Sequence, residues 1–142
     1  MRIILRAAPL AALLLAAGGS AQAPATQDMV RHGDLEWREI VPGVSFAAAY
    51  GDWERQAHGK FARIDSGANV ALHTHTNPYH GVLISGRLTN NFADGTRVEV
   101  APGDYWLMAG GRPHGHDCLS EEPCIAFVYG DALWDIALYE AD

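Results

Sequence analysis

The sequence predicts an all-β domain, a small β-barrel or jelly roll of two facing sheets. Short alternating runs are separated by Gly, Pro, Asn and Asp turn signals at roughly 8–12-residue intervals, the pattern of sandwiches and barrels. No window of helical length carries a 3.6-residue apolar stripe, and no solenoid or propeller period repeats.

Leu35–Val41 alternates and stops at Pro42-Gly43, and Val44–Tyr50 runs on to Gly51-Asp52. Phe61–Asp65 alternates and ends at Ser66-Gly67; Val70–His75 follows and breaks at Asn77-Pro78. His80–Ile84 leads to a turn at Ser85-Gly86, and Leu88–Phe92 precedes Asp94-Gly95, with Thr89-Asn90-Asn91 reading as polar turn and not as a site. Arg97–Val100, Tyr105–Met108, His114–Cys118 and Cys124–Tyr129 complete the series. Ala132, Trp134, Ile136 and Leu138 share one parity, which predicts a final strand.

The first residues read as a targeting segment, not as part of the barrel. Arg2 and Arg6 precede the apolar run Ala7–Ala17 and the small-residue stretch Gly18–Ala23, which is the layout of a secretory signal peptide over residues 1–23. Cleavage is expected after Ala23 or after Ala21, since Pro24 suits a peptidase poorly just beyond the cut. Residues 24–34 read as a flexible leader and 35–142 as the barrel domain, exported to the periplasm or secreted. Without Arg2 and Arg6 the ten basic residues become eight against 17 acidic ones. That surface disfavours nucleic acid and, once the signal is removed, anionic membrane as partners. A small-molecule ligand is the expected partner.

Export also bears on the two cysteines. An even pair in an oxidising compartment is most simply a disulfide, and Leu119–Pro123 reads as a turn that brings Cys118 and Cys124 together. A reactive thiol or metal thiolate is the rival reading.

Five of the seven histidines fall in two segments: His73, His75 and His80 in the first, His114 and His116 in the second. His73 and His75 are one residue apart, so on a strand both imidazoles share a face. Neutral imidazole is a favoured ligand of transition metals, and the pair therefore proposes a metal site within β-structure. Further ligands must approach from neighbouring strands. Parity groups His80 with Val82 and Ile84, which favours His80 as an inward ligand with Tyr79 alongside; His116 shares parity with His114. His32 and His58 read as solvated. Arg63, mid-strand, either clamps a ligand carboxylate or faces out. One of Tyr105 and Trp106 must face inward, as core or as a wall of the substrate pocket, and Trp37, Trp53 and Trp134 read as packing.

These motifs resemble the cupin superfamily. Gly67, His73, His75 and Gly86 match its first motif; Gly103, Gly111 and His114 match its second, with Ala109 in place of Pro and Cys118 in place of Asn. The resemblance covers about fifty residues and is closest to small single-domain cupins of unknown function with a His-Thr-His…Tyr-His pattern, paired cysteines and a Gly-Gly-x-Pro-His turn. It implies a double-stranded β-helix (jelly roll) with a divalent transition metal, Fe, Mn, Cu, Ni or Zn, on His73, His75 and His114, and it makes a homodimer plausible. The superfamily's Glu is missing: counting back from Gly86 puts Tyr79 in its place, and counting from His75 puts His80 there. A non-haem dioxygenase with Tyr79 relaying a proton is one expectation; a non-catalytic metal- or ligand-binding or sensor module is another, and a metal-dependent hydrolase or isomerase is a third.

Overall fold

The computed structural model describes residues 29–140. The predicted signal peptide, both cleavage sites and the start of the leader lie outside the described residues. A single 3₁₀ turn, His32–Asp34, precedes the strands. Among the described residues no helix is long and apolar enough to cross a membrane.

Eleven strands follow: β1 (Arg38–Val41), β2 (Val44–Gly51), β3 (His58–Ile64), β4 (Asn69–Thr74), β5 (Tyr79–Ser85), β6 (Leu88–Phe92), β7 (Arg97–Val100), β8 (Tyr105–Met108), β9 (His114–Cys118), β10 (Cys124–Gly130) and β11 (Ala137–Leu138). They form two antiparallel sheets, one ordered β1-β2-β3-β10-β5-β8 and the other β11-β4-β9-β6-β7. The chain passes from one sheet to the other and back between β3 and β10, which is the jelly-roll plan expected of the sequence. The predicted last strand is the exception: Ala132–Ile136 is irregular and only Ala137–Leu138 pairs, against Thr74 and His73.

The core forms because each strand turns every second side chain inward. Cys124, Ala126 and Val128 of β10 alternate with the outward Ile125, Phe127 and Tyr129. Val44 and Phe46 of β2, Ile64 of β3, Leu83 of β5, Leu88 of β6, Val100 of β7 and Met108 of β8 close the space between the sheets. Burying one such side chain contributes about 1.5–3 kcal/mol, so these few residues carry much of the gross stabilisation.

Two local devices pin the sheets. Cys118 at the end of β9 and Cys124 at the start of β10 are disulfide-bonded, with Cα atoms 5.7 Å apart, as the spacing predicts. The bridge joins one sheet to the other across a turn and packs beside Gly86, which takes a φ of 87° in the β5–β6 turn. Gly81 is the second. It lies opposite Trp106 in the β5–β8 register, and a methyl group there would overlap the indole carbons. Gly81→Ala is therefore expected to cost about 1–3 kcal/mol by overpacking. Urea unfolding tests this, and an unchanged midpoint would show that Trp106 swings aside freely.

Candidate metal centre

The two histidine segments become neighbours because β4 and β9 pair antiparallel, with His73 directly opposite His114. The register shifts between Val70 and His73. There Gly115 passes so close to β4 that a Cβ would stand 2.5 Å from the Val70 carbonyl oxygen. Only glycine fits between His114 and His116. The Gly110-Gly111 turn is tied to the first segment as well: Gly111 N–H donates to the His75 carbonyl at 2.8 Å, and Gly111 has a φ of 74°.

The nitrogens of His73, His114 and His116 lie within 4.8 Å of one another, and all three side chains are buried. His75, just beyond the end of β4, borders this trio, its ring centroid 4.8 Å from His73 and 5.1 Å from His114. Each ring is oriented by an acceptor at Nδ1. His73 donates to Ala71 O at 2.8 Å, His114 to Arg112 O at 2.8 Å, His116 to Asn90 Oδ1 at 2.8 Å, and His75 to the Asp135 carbonyl. A proton on Nδ1 leaves a lone pair on Nε2. Two of these lone pairs meet one hydroxyl, that of Tyr79, which is 3.1 Å from His114 Nε2 and 3.4 Å from His116 Nε2. A single O–H cannot donate fully to both.

Burial keeps these imidazoles neutral. It pushes His75 down to about 4 and His114 down to about 3, holds His116 well below its ordinary value, and lowers His73. Burial also raises the Tyr79 hydroxyl, the nearby Trp106 indole acting weakly in the opposite sense, so Tyr79 stays protonated at neutral pH. Neutral, pre-oriented nitrogen donors are what a divalent transition metal requires, and the residues fit such an ion.

Several expectations are corrected. His80 is on the outer face of the larger sheet, stacked on Tyr129 at 4.5 Å with Nδ1 2.6 Å from the Tyr105 hydroxyl, away from the cluster. β5 turns Tyr79, Gly81 and Leu83 inward, while Ile84 is exposed. The outer face is itself apolar there, since Val82 pairs with Phe127, and that misled the parity reading. Tyr79, at the place of the missing Glu, is the residue that meets the histidines. Arg63 is exposed and paired with Asp65 at 3.1 Å; it does not reach the interior. Trp106 is the inward member of its pair and lines the cavity beside the cluster; Tyr105 faces out.

Three interior residues escaped the sequence reading. Asn90 is a buried strand residue that orients His116, not part of a turn. His58 is 1% exposed, its Nδ1 within 3.1 Å of both the Gln56 and Ala132 carbonyls. Lys60, also 1% exposed, shares parity with Ala62 and Ile64, a signal available in the sequence.

Residues 60–130 match the model of the cupin domain. The chain belongs to the cupin family. No curated protein sequence matches this cupin. Among solved structures it is similar to the polyketide cyclase RemF from Streptomyces resistomycificus, with 17% identity and a TM-score of 0.69 over 82% of this chain and 87% of that one. It is also similar to an RmlC-like cupin from Shewanella frigidimarina, with 18% identity and a TM-score of 0.61 over 75% and 92%. Salicylate 1,2-dioxygenase from Pseudoaminobacter salicylatoxidans, solved as adducts with gentisate, aligns at 16% identity and a TM-score of 0.57 over 66% of this cupin and 26% of that chain. At these identities the likeness concerns the fold, which hosts unrelated chemistries.

Proposed function

We propose that this cupin is an exported, metal-dependent oxidoreductase of the non-haem dioxygenase kind, acting on a small molecule. The carrying observation is the set of inward imidazole lone pairs around one hydroxyl, at the wall of an apolar cavity. His73, His114 and His116 would hold the ion, with His75 bordering it. A bound iron, manganese, copper or nickel ion would supply Lewis acidity and redox capacity at that point, and zinc the former alone.

The chain's own groups have distinct tasks. The carbonyls of Ala71 and Arg112 and the Asn90 side chain hold the rings in one tautomer. Val44, Ala62, Leu88 and Val128 keep the cavity wall dry, which strengthens each polar contact within it. Tyr79 is a hydrogen-bond donor and not a base, because burial holds its proton. It can turn its hydroxyl from His114 and His116 to an oxygen of the ligand.

Among the described residues no Asp or Glu lines the cavity wall, which favours a second reading, a non-catalytic binding or sensor module. Metal analysis of protein purified without chelators, followed by oxygen-uptake assays with thiols, phenols and sugars, separates the two. Stoichiometric metal with substrate-dependent oxygen uptake is expected. Bound metal without turnover would replace the enzyme reading with the binding module. Export is tested by N-terminal sequencing of the mature protein, expected to begin after Ala21 or Ala23; a chain retaining Met1 would overturn it.

A further inference from the structure

Among the described residues Lys60 is the one basic side chain other than histidine on the wall of this cavity, and burial lowers its amine from the ordinary lysine value to about 6. Its Nζ stands 3.6 Å from the Trp134 ring centroid, 4.3 Å from Phe46 and 5.7 Å from Trp53. No hydrogen-bond acceptor reaches it, and the buried Trp106 Nε1, on the same wall, has the Tyr79 hydroxyl nearby without making an ordinary hydrogen bond to it. Ring faces can hold an ammonium, but they do not replace the strong acceptors that its hydrogens lose on leaving water. The same cavity is bordered by His73, His75 and His116, and no acidic side chain lines it. With a divalent ion on the histidines, every charge facing the cavity would be positive. Such a wall is complementary to an anion with more than one acceptor oxygen.

The volume limits its size. The cavity measures about 60 Å³, room for a few water-sized centres and hence for a ligand of few non-hydrogen atoms. The sequence leaves Arg63 either as a carboxylate clamp or as an outward-facing residue. The structure turns Arg63 outward and puts Lys60, on the same strand, inside.

We propose that Lys60 is the carboxylate-binding residue of the cavity, with the Trp106 indole N–H as a second donor, and that the ligand is a small organic acid. Its carboxylate meets Lys60, and a second oxygen group faces the histidines. The placement of that second group rests on the metal-centre reading; the role of Lys60 does not.

The test uses the full mature protein, metal-free and zinc-loaded, titrated with pyruvate and with the neutral analogue pyruvamide. Calorimetry gives the affinity, and tryptophan fluorescence reports entry beside Trp134 and Trp106. Pyruvate is expected to bind and pyruvamide to bind far more weakly. Lys60→Met should lower pyruvate affinity roughly thirtyfold or more while keeping the zinc stoichiometry of the parent protein. Because methionine replaces a desolvated amine with an apolar chain of similar length, this variant should fold and melt at a higher temperature. Trp106→Phe should weaken pyruvate by a smaller factor. Equal binding of acid and amide, or unchanged pyruvate affinity in Lys60→Met, would overturn the proposal. So would covalent trapping of pyruvate on Lys60 by borohydride, whose hydride reduces to a secondary amine the imine that the lysine amine forms with the ketone on loss of water. Pyruvate binding that depends on Lys60 in a protein that takes no zinc would remove the metal reading and leave this one standing.

Discussion

His116→Ala is expected to weaken metal binding on the order of a hundredfold or more, and His80→Ala to leave it unchanged. Loss of the His116 nitrogen opens one corner of the buried trio; His75, which borders the trio, is the other imidazole left on the wall, and Tyr79 keeps its proton. Removing a mere supporting partner of a metal ligand costs about 10–100-fold in affinity, so removal of a ligand should cost on the order of a hundredfold or more. Asn90→Leu, which frees the His116 ring to rotate, supplies the intermediate case at about 10–100-fold. His80 touches only Tyr105 and Tyr129 on the outer face, and its loss should affect neither metal content nor cavity. Zinc titration calorimetry on the metal-free parent protein and these three variants ranks them. Full zinc affinity in His116→Ala together with its loss in His80→Ala would restore the reading that parity alone suggested.

That reading shows where sequence stops being informative. Strand boundaries were legible because turn residues punctuate them. The His73–His75 pair and His114 were legible because a period of two leaves no choice of face once one member is inside. β5 was misread because apolar residues lie on both of its faces. Val82 packs against Phe127 outside, while Gly81 leaves room inside for Trp106, and a glycine carries no hydrophobic signal. Lys60 was overlooked for the opposite reason. A lysine reads as surface by type, although its parity with Ala62 and Ile64 placed it inside. Asn90 likewise alternates with Leu88 and Phe92, and its burial makes sense only once β9 supplies a ring that needs an acceptor. The irregular stretch before β11 could not be anticipated from local pattern. Its Trp134 is held over Phe46 and its Asp135 carbonyl over His75, contacts between segments far apart in the chain.

Metal-free protein should unfold in acid near pH 5, well above the range in which ordinary carboxylate protonation acts. His73, His75, His114 and His116 all have native pKa values pushed below 6.5 by burial, to about 4 for His75 and about 3 for His114. Below 6.5 the unfolded chain takes up protons that the native cluster refuses. The stability tied to these groups is therefore complete above pH 6.5 and is lost as pH falls toward the native values. Each proton taken up on unfolding costs about 1.4 kcal/mol per pH unit, and a domain of this kind has roughly 5–15 kcal/mol to lose. Up to four such protons exhaust the lower part of that range within about one or two units. The dependence of the unfolding constant on pH, followed by tryptophan fluorescence, should give an uptake of more than two protons between pH 6.5 and 5. Zinc should shift the transition to lower pH, because a ligand that binds only neutral imidazoles stabilises the folded state. His116→Phe should remove about one proton from the slope, since burial holds the ring it replaces well below its ordinary value. A metal-free transition below about pH 3.5, with a slope near one proton, would mean that water reaches these rings and that the cluster is not the dry, neutral donor set on which the metal assignment depends.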